Sequence, residues 1–182
     1  MSLKEQSEKE FTGHVAFENG MYRQRIVLDE GKNCKIEIKD ANGSDGLNFN
    51  FATMLIAKSS GEECKERLVW HTFYDIQSGE DHPQGWVTGQ QKFAKLLKMV
   101  GLLDEFVETF GGEPDWYGKR NDIQMWLQIN LPYKIVMGNV KEVKRVKDDG
   151  TDAYKLVCNV LMPYDGDQPG SNAAAFDDGL PF

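Results

Sequence analysis

The sequence has few cysteines, few histidines and no long hydrophobic run. Three cysteines scattered along 182 residues exclude a disulfide framework and are typical of a reducing compartment. The three histidines are far apart, and no cysteine or histidine pair has the spacing of a zinc site. No apolar stretch approaches the ~20 residues that span a membrane, and the polar N-terminus lacks the apolar region of a signal peptide. We therefore expect a cytoplasmic protein with no membrane association.

The chain also lacks the motifs of common enzyme classes. It contains neither a GxxxxGK[ST] phosphate loop nor a GxSxG nucleophile turn. Residues 40–46 begin like a calcium loop, but glycine is not at the sixth position and glutamate is not at the twelfth, which favours a simple turn. Asp104, Glu105 and Glu108 fit a solvated helix face better than a metal site. The sequence therefore predicts a non-enzyme with no cofactor and no metal.

What the chain does have is an adequate core and an uneven charge. Hydrophobic residues make up 40% of it, including 10 Phe, 6 Tyr and 4 Trp, which is enough to fold. The formal net charge of -8 by itself argues against nucleic acid binding. However, residues 133–147 carry five basic residues and one acidic residue, whereas no basic residue follows Lys155. The acidic total thus conceals a basic segment and an acidic tail.

The periodicity of apolar residues predicts mainly strands, with helices in the second half. Alternation predicts strands over 21–28, 34–39, 47–57, 67–76, 123–129, 135–147 and 153–162, the last two joined by an Asp-Gly turn. Helical spacing predicts a helix over 88–100, with Thr88 as its N-cap and Gly101 after its end, and a short one over 104–110.

This order predicts a mainly β fold. We expect an OB-like five-stranded Greek-key barrel with an extra hairpin around residues 33–57 and one or two helices before the final strands. Another small β-rich α+β fold stays open as an alternative. The predicted domains are a flexible leader over 1–10, the OB-like domain over 11–163 and a disordered acidic tail over 164–182.

The last six residues, DDGLPF, combine two carboxylates with an apolar end. Asp177 and Asp178 would direct this segment to a pocket with a basic rim. Pro181 reduces the entropy lost on docking, and Phe182 offers a ring and a terminal carboxylate. A tail that served only solubility would not need an apolar last residue, so we interpret these six residues as a peptide ligand.

These residues resemble the C-terminal tip of bacterial and bacteriophage single-stranded-DNA-binding proteins, which is acidic and ends in a hydrophobic-Pro-Phe tripeptide, as Leu180-Pro181-Phe182 does. That family joins an OB-fold core to a disordered linker and a tip that recruits replication, recombination and repair proteins. The segment 103–116 and the extra hairpin depart from the usual bacterial core and look more like a phage-encoded variety. The resemblance implies the cytoplasm of a bacterial host as the location. It implies these partner-binding residues: Asp177, Asp178, Leu180, Pro181 and Phe182.

A DNA-binding function needs cations for phosphates and aromatic rings for bases. The candidates fall into three groups: cations of the predicted strands over 21–39, two aromatics beside two cations in the loop over 116–120, and the cations of the terminal hairpin. They are Arg23, Arg25, Lys35, Lys39, Trp116, Tyr117, Lys119, Arg120, Lys141, Lys144, Arg145 and Lys147. Other aromatics sit in apolar alternation and are predicted to be buried: Phe49, Trp70, Phe93 and Trp126. Tyr22, Phe51, Phe73 and Tyr74 stay open between core and surface.

The sequence therefore favours a non-sequence-specific single-stranded-DNA-binding protein that acts in phage replication, recombination and repair. Two alternatives remain: a recombination mediator or strand-annealing protein, and an acidic DNA-mimic adaptor that binds a host enzyme. The basic residues of 133–147 count against mimicry. Self-association into a homo-oligomer stays open.

Overall fold

A computed structural model describes residues 16–41, 46–77 and 88–169, which contain six strands and three α-helices. A short 3-10 turn, Glu30–Lys32, follows the first strand. The elements are β1 Gly20–Val27, β2 Glu37–Asp40, β3 Leu47–Lys58, β4 Leu68–Phe73, α1 Gly89–Met99, α2 Leu103–Phe110, α3 Arg120–Asn130, β5 Ile135–Val146 and β6 Asp152–Pro163.

All six strands belong to one antiparallel sheet in the order β2-β3-β1-β5-β6, with β4 on the other edge of β3. The long strand β3 pairs first with β2 and then with β1 along the same edge. The sheet curls, because Cα atoms of β4 and β6 come within 8 Å of each other although the two strands are not paired. A mainly β fold is therefore confirmed.

Alternation decides which side chains of the sheet enter the core. In β1, Tyr22, Gln24 and Ile26 are buried, and Phe49 and Phe51 of β3 join them on this inner face. Helices α1 and α2 close the core with aromatic and aliphatic side chains, and Thr88 forms a capping box with Gln91 at the start of α1. The remaining side chains of each strand lie on the opposite face of the sheet, which we call the outer face.

One predicted strand is wrong. Residues 123–129 lie in helix α3, where the buried side chains Ile123, Leu127 and Leu131 follow a spacing of four. Met125 and Ile129, which alternation would also place inside, are exposed. The remaining predicted strands and both predicted helices are found, with ends that differ by at most three residues.

Helix α3 covers the edge of β2 that faces away from β3. The Gln124 side-chain oxygen accepts a hydrogen bond from the Ile38 amide at 2.8 Å, and the Gln128 side chain donates to the Ile36 carbonyl at 2.9 Å. The Arg120 guanidinium donates twice to the Ile38 carbonyl, at 3.1 and 2.7 Å. Side chains of a helix thus occupy the backbone groups that another strand would otherwise use.

Strand β6 ends at Pro163, where the sequence places the end of the domain, and Gln168 and Pro169 beyond it contact the start of β5. The amide group of Gln168 bonds both the N–H and the carbonyl of Ile135, at 2.9 and 2.7 Å, and Lys134 Nζ donates to the Pro169 carbonyl at 3.0 Å. The predicted leader over 1–10 lies outside the described residues, as do residues 42–45 and 170–182.

Candidate nucleic-acid interface

Two predicted arginines lie side by side along the outer face of β1. Arg23 and Arg25 alternate with the buried residues of the same strand, so both side chains leave the core. The Nε atoms of both guanidinium groups are buried and have no hydrogen-bond partner among the described residues. The Arg23 guanidinium lies over the ring of Tyr164, 5.5 Å from its centroid. Two cationic side chains on the outer face of a sheet are suited to an anionic ligand.

Trp70 is one of two tryptophans whose position the sequence predicts wrongly. It lies on β4 opposite Ala52 of β3, and it is 53% exposed rather than buried. The adjacent row across the same face joins Arg25, Met54 and Leu68. The sequence feature that could have indicated this is Thr72, a polar residue on the same face of β4 as Trp70. The opposite face of the strand carries the apolar residues Val69 and Phe73. Phe49 and Phe93 are buried as predicted, and Trp126 is partly buried.

The ring of Trp70 forms one wall of a groove that we call the Trp70 groove. Lys35 and Lys39 line it beside Trp70, together with Asn50 and Thr72 of the neighbouring strands. Glu37 also lines it and pairs with Lys39 at 2.9 Å, which offsets part of the positive charge. Lys35 is exposed and has no ion-pair partner in the described part of the chain.

A second groove continues from the first across β2. It shares Glu37 and Lys39 with the Trp70 groove and reaches Tyr117, which is 57% exposed. Because the two grooves share these residues, we describe them as one path, with one exposed aromatic ring in each groove and Lys39 common to both. Lys119, also predicted as a DNA contact, is exposed just before α3.

Trp116 and Arg120 do not fit the role predicted for them. Trp116 is only 5% exposed and packs edge-on against Phe93, with ring centroids 5.2 Å apart. A ring enclosed in the core cannot stack on a base, so Trp116 is removed from the candidate contacts. The Arg120 guanidinium donates hydrogen bonds to the Ile38 carbonyl and forms an ion pair with Asp40 at 3.0 Å, so its role is to attach α3 to β2.

The predicted cations of the terminal hairpin form a separate group. Beyond Val140 the strands β5 and β6 pair only with each other, so residues 141–157 extend past the start of β1. We call this the β5–β6 arm, and its base is tied to the rest of the sheet by an Arg67–Glu142 ion pair of 3.1 Å. Lys144 pairs with Asp152 at 2.8 Å. All four predicted cations of the arm are exposed, namely Lys141, Lys144, Arg145 and Lys147.

The candidate cations of the Trp70 groove, of β1 and of the β5–β6 arm are therefore arranged one after another along the direction of β1. Arg25 is near the end of β1 at which β3 changes partner to β2, and Arg23 is nearer the end at which the arm begins. The eight residues of β1 extend over roughly 25 Å, so Arg23 and Arg25 lie between the Trp70 groove and the arm.

A chain of buried polar groups lies beneath the Trp70 groove. The Thr53 hydroxyl donates to Gln24 Oε1 at 2.7 Å and therefore accepts from His71 Nε2 at 3.0 Å. The Gln24 amide nitrogen continues the chain to Cys158 Sγ at 3.6 Å. Burial lowers the pKa of His71 from 6.5 to about 4, so the imidazole is neutral at pH 7 and donates to Thr53 within the folded interior. All three cysteines are free thiols.

Comparisons with known proteins do not assign the chain to a family. No protein-family model matches it, and no solved structure matches it significantly. It is 27% identical over 139 residues, or 72% of its length, to a voltage-gated inwardly rectifying potassium channel, KCNH6, of Rattus norvegicus. The chain spans only 14% of that channel. Within residues 16–41, 46–77 and 88–169, no helix is long and apolar enough to cross a membrane.

Proposed function

We propose that this protein binds single-stranded DNA without sequence preference and has no catalytic role. The observation that carries the proposal is the exposed ring of Trp70 in a groove with Lys35 and Lys39. Base stacking on an aromatic ring tolerates any sequence, and lysines that pair with phosphates release counterions. The two arginines of β1 and the β5–β6 arm offer further phosphate contacts on either side.

The strand order supports an OB-like barrel as the scaffold. Strands β1 and β2 run along one edge of β3 like two halves of one interrupted strand, and β4 runs along the other edge. The helices come between β4 and β5, and β6 returns to within 8 Å of β4. Nucleic acid ligands of OB folds bind across the second and third strands and the adjoining loops. In this chain those strands correspond to β3 and β4, where Trp70 lies.

The resemblance of DDGLPF to the tip of single-stranded-DNA-binding proteins supports the same function from an independent part of the sequence. Asp177, Asp178 and Phe182 lie outside the described residues, so partner recruitment rests on the sequence alone. With it we propose a role in phage replication, recombination and repair in the cytoplasm of a bacterial host.

The test is a fluorescence titration with an oligo-dT strand and a matched duplex at two salt concentrations. We expect quenching by the single strand that salt weakens, and a much smaller response to duplex. Trp70→Ala removes the stacking surface and should raise the Kd for oligo-dT by about tenfold or more, since one stacked base contributes roughly 1–3 kcal/mol. Arg23→Ala with Arg25→Ala should lower the slope of log K against log salt by about 1.4.

Trp126→Phe is the matched control, because Trp126 packs on Phe106 and Phe110 away from the groove. It should leave the affinity for oligo-dT unchanged. Equal affinities of the Trp70→Ala variant and the unmodified protein, measured by anisotropy of labelled oligo-dT, would exclude Trp70 as a platform. Absence of any binding to either strand would refute the whole proposal and favour the adaptor alternative.

A further inference from the structure

A further concave site, apart from the two grooves described above, lies between β4 and β6, which are not paired with each other. It is a cavity of about 320 Å³ covered by α1, at the small end of the ~300–1,000 Å³ range of ligand pockets. We call it the seam pocket. Phe73, Met99, Val160 and Leu161 give it an apolar lining, and Lys92 and Lys95 stand at its rim. It uses neither lysine of the Trp70 groove and does not include Trp70.

The charge of α1 is wholly positive. The helix carries Lys92, Lys95 and Lys98 and no acidic residue. Lys92 and Lys95 are exposed, and neither has an ion-pair partner in the described part of the chain. In a protein of net charge -8, two unpaired lysines at the mouth of an apolar pocket form a local field that favours an acidic partner.

The dimensions of the seam decide how such a partner would enter. A strand inserted between β4 and β6 would need two ladder spacings, about 9.6 Å. The two strands approach within 8 Å, so an added strand does not fit where they are closest. An apolar side chain can fill the cavity, and Val160, which is 64% exposed at its edge, would be covered by the same segment.

The lining favours a peptide over nucleic acid. Phe73 is the aromatic ring of the seam pocket's apolar lining, and it is buried against Phe49 and Phe51, with centroids 6.0 and 5.3 Å away. A nucleobase would therefore meet no exposed ring to stack on, although stacking is the main sequence-independent contact of single strands. An aliphatic or aromatic side chain needs only the apolar cavity.

We propose that the seam pocket binds an acidic peptide segment of a partner protein, which inserts one apolar side chain between β4 and β6 while its carboxylates pair with Lys92 and Lys95. This protein-docking site has only the buried His71 in common with the lining of the Trp70 groove, and the proposal stands whether or not the chain binds DNA. Occupation of the pocket would cover the apolar surface at the open seam of the sheet.

The probe is a fluorescein-labelled Glu-Glu-Leu-Phe-Glu-Glu peptide, followed by anisotropy on the full chain. We expect saturable binding, and the same peptide with Gly-Ser in place of Leu-Phe should not bind. Lys92→Glu with Lys95→Glu should raise the Kd at least about tenfold, because it replaces attraction by repulsion at two positions. Lys98→Glu is the matched control on the same helix, since Lys98 is exposed but does not line the pocket.

A second variant, Val160→Asp, tests the apolar contact and should also weaken binding. Circular dichroism verifies that each variant is folded. No binding, or equal affinity in the Lys92/Lys95 variant and the Lys98 variant, would overturn the proposal. Loss of oligo-dT binding in the Lys92/Lys95 variant, combined with no peptide binding by the unmodified protein, would also overturn it. A concentration-dependent dimer that Val160→Asp abolishes in sedimentation would assign the pocket to self-association instead.

Discussion

Lowering the pH should destabilise this protein through one buried side chain, His71. Its imidazole is enclosed between the ring of Phe51, 4.7 Å away, and the hydroxyl of Thr53. Burial lowers its pKa from 6.5 to about 4. The folded state therefore resists protonation, whereas the unfolded chain takes up a proton at ordinary pH. Stability is present in full above pH 6.5 and is lost as the pH falls through 4.

The magnitude follows from the separation of the two pKa values. Between pH 7 and pH 5 the free energy of unfolding should fall by about 2 kcal/mol on account of His71, and by roughly 3 kcal/mol by pH 4. Carboxylates titrate in the same interval, so the protein must be compared with a variant that lacks only this group. His71→Gln keeps a donor for Thr53 and removes the titration.

The assay is urea unfolding of both proteins at pH 7, 6 and 5, followed by tryptophan fluorescence. Because every other titration is common to the two proteins, the difference between their free energies of unfolding isolates His71. We expect His71→Gln to be the less stable protein at pH 7 and to lose less stability on acidification. If the difference stays constant within about 0.5 kcal/mol across the range, the imidazole titrates as freely in the folded protein as in the unfolded chain and the reasoning is refuted.

Two further changes test the interior and the helices. Thr53→Val is nearly isosteric but leaves Gln24 Oε1 and His71 Nε2 unpaired, so the free energy of unfolding should fall by about 2 kcal/mol or more, measured by urea, whereas Thr53→Ser should restore most of the loss. Thr88→Ala removes the capping box of α1 and should cost about 1 kcal/mol, seen as a Tm lower by roughly 2–4 °C. A stability of Thr88→Ala equal to that of the parent would show that the cap is dispensable.

An element of the fold could be predicted from the sequence where its apolar residues fit only one periodicity. Alternation of Tyr22, Gln24 and Ile26 with Arg23 and Arg25 identifies β1 and its two faces, and Thr88 marks the start of α1. The Asp-Gly turn between the last strands is found as predicted, with Gly150 at a φ of 81°.

Helix α3 was missed because its apolar residues satisfy two periods at once. Ile123, Met125, Leu127 and Ile129 alternate as in a strand, while Ile123, Leu127 and Leu131 repeat as in a helix. Only the tertiary structure, which leaves Met125 and Ile129 exposed, distinguishes the two.

The predicted positions of Trp70 and Trp116, one in the core and the other on the surface, are both wrong for a similar reason. Trp116 follows a polar loop and precedes two cations, which suggests a surface position, yet α1 and α2 supply the apolar neighbours that bury it. Trp70 lies in an apolar strand, which suggests the core, yet it faces outward. Sequence periodicity gives the two faces of a strand, but which of them is covered depends on helices that come later in the chain.

The side chains that join α3 to β2 have a consequence for how a ligand would be received. Arg120, Gln124 and Gln128 connect the helix to the strand that carries Lys39, and Tyr117 stands three residues before the helix. We therefore expect helix and strand to move together and the spacing between Tyr117 and Lys39 to be largely set before any ligand arrives. A preorganised frame of this kind lowers the entropic cost of association. Binding along this path should therefore proceed without a slow conformational step.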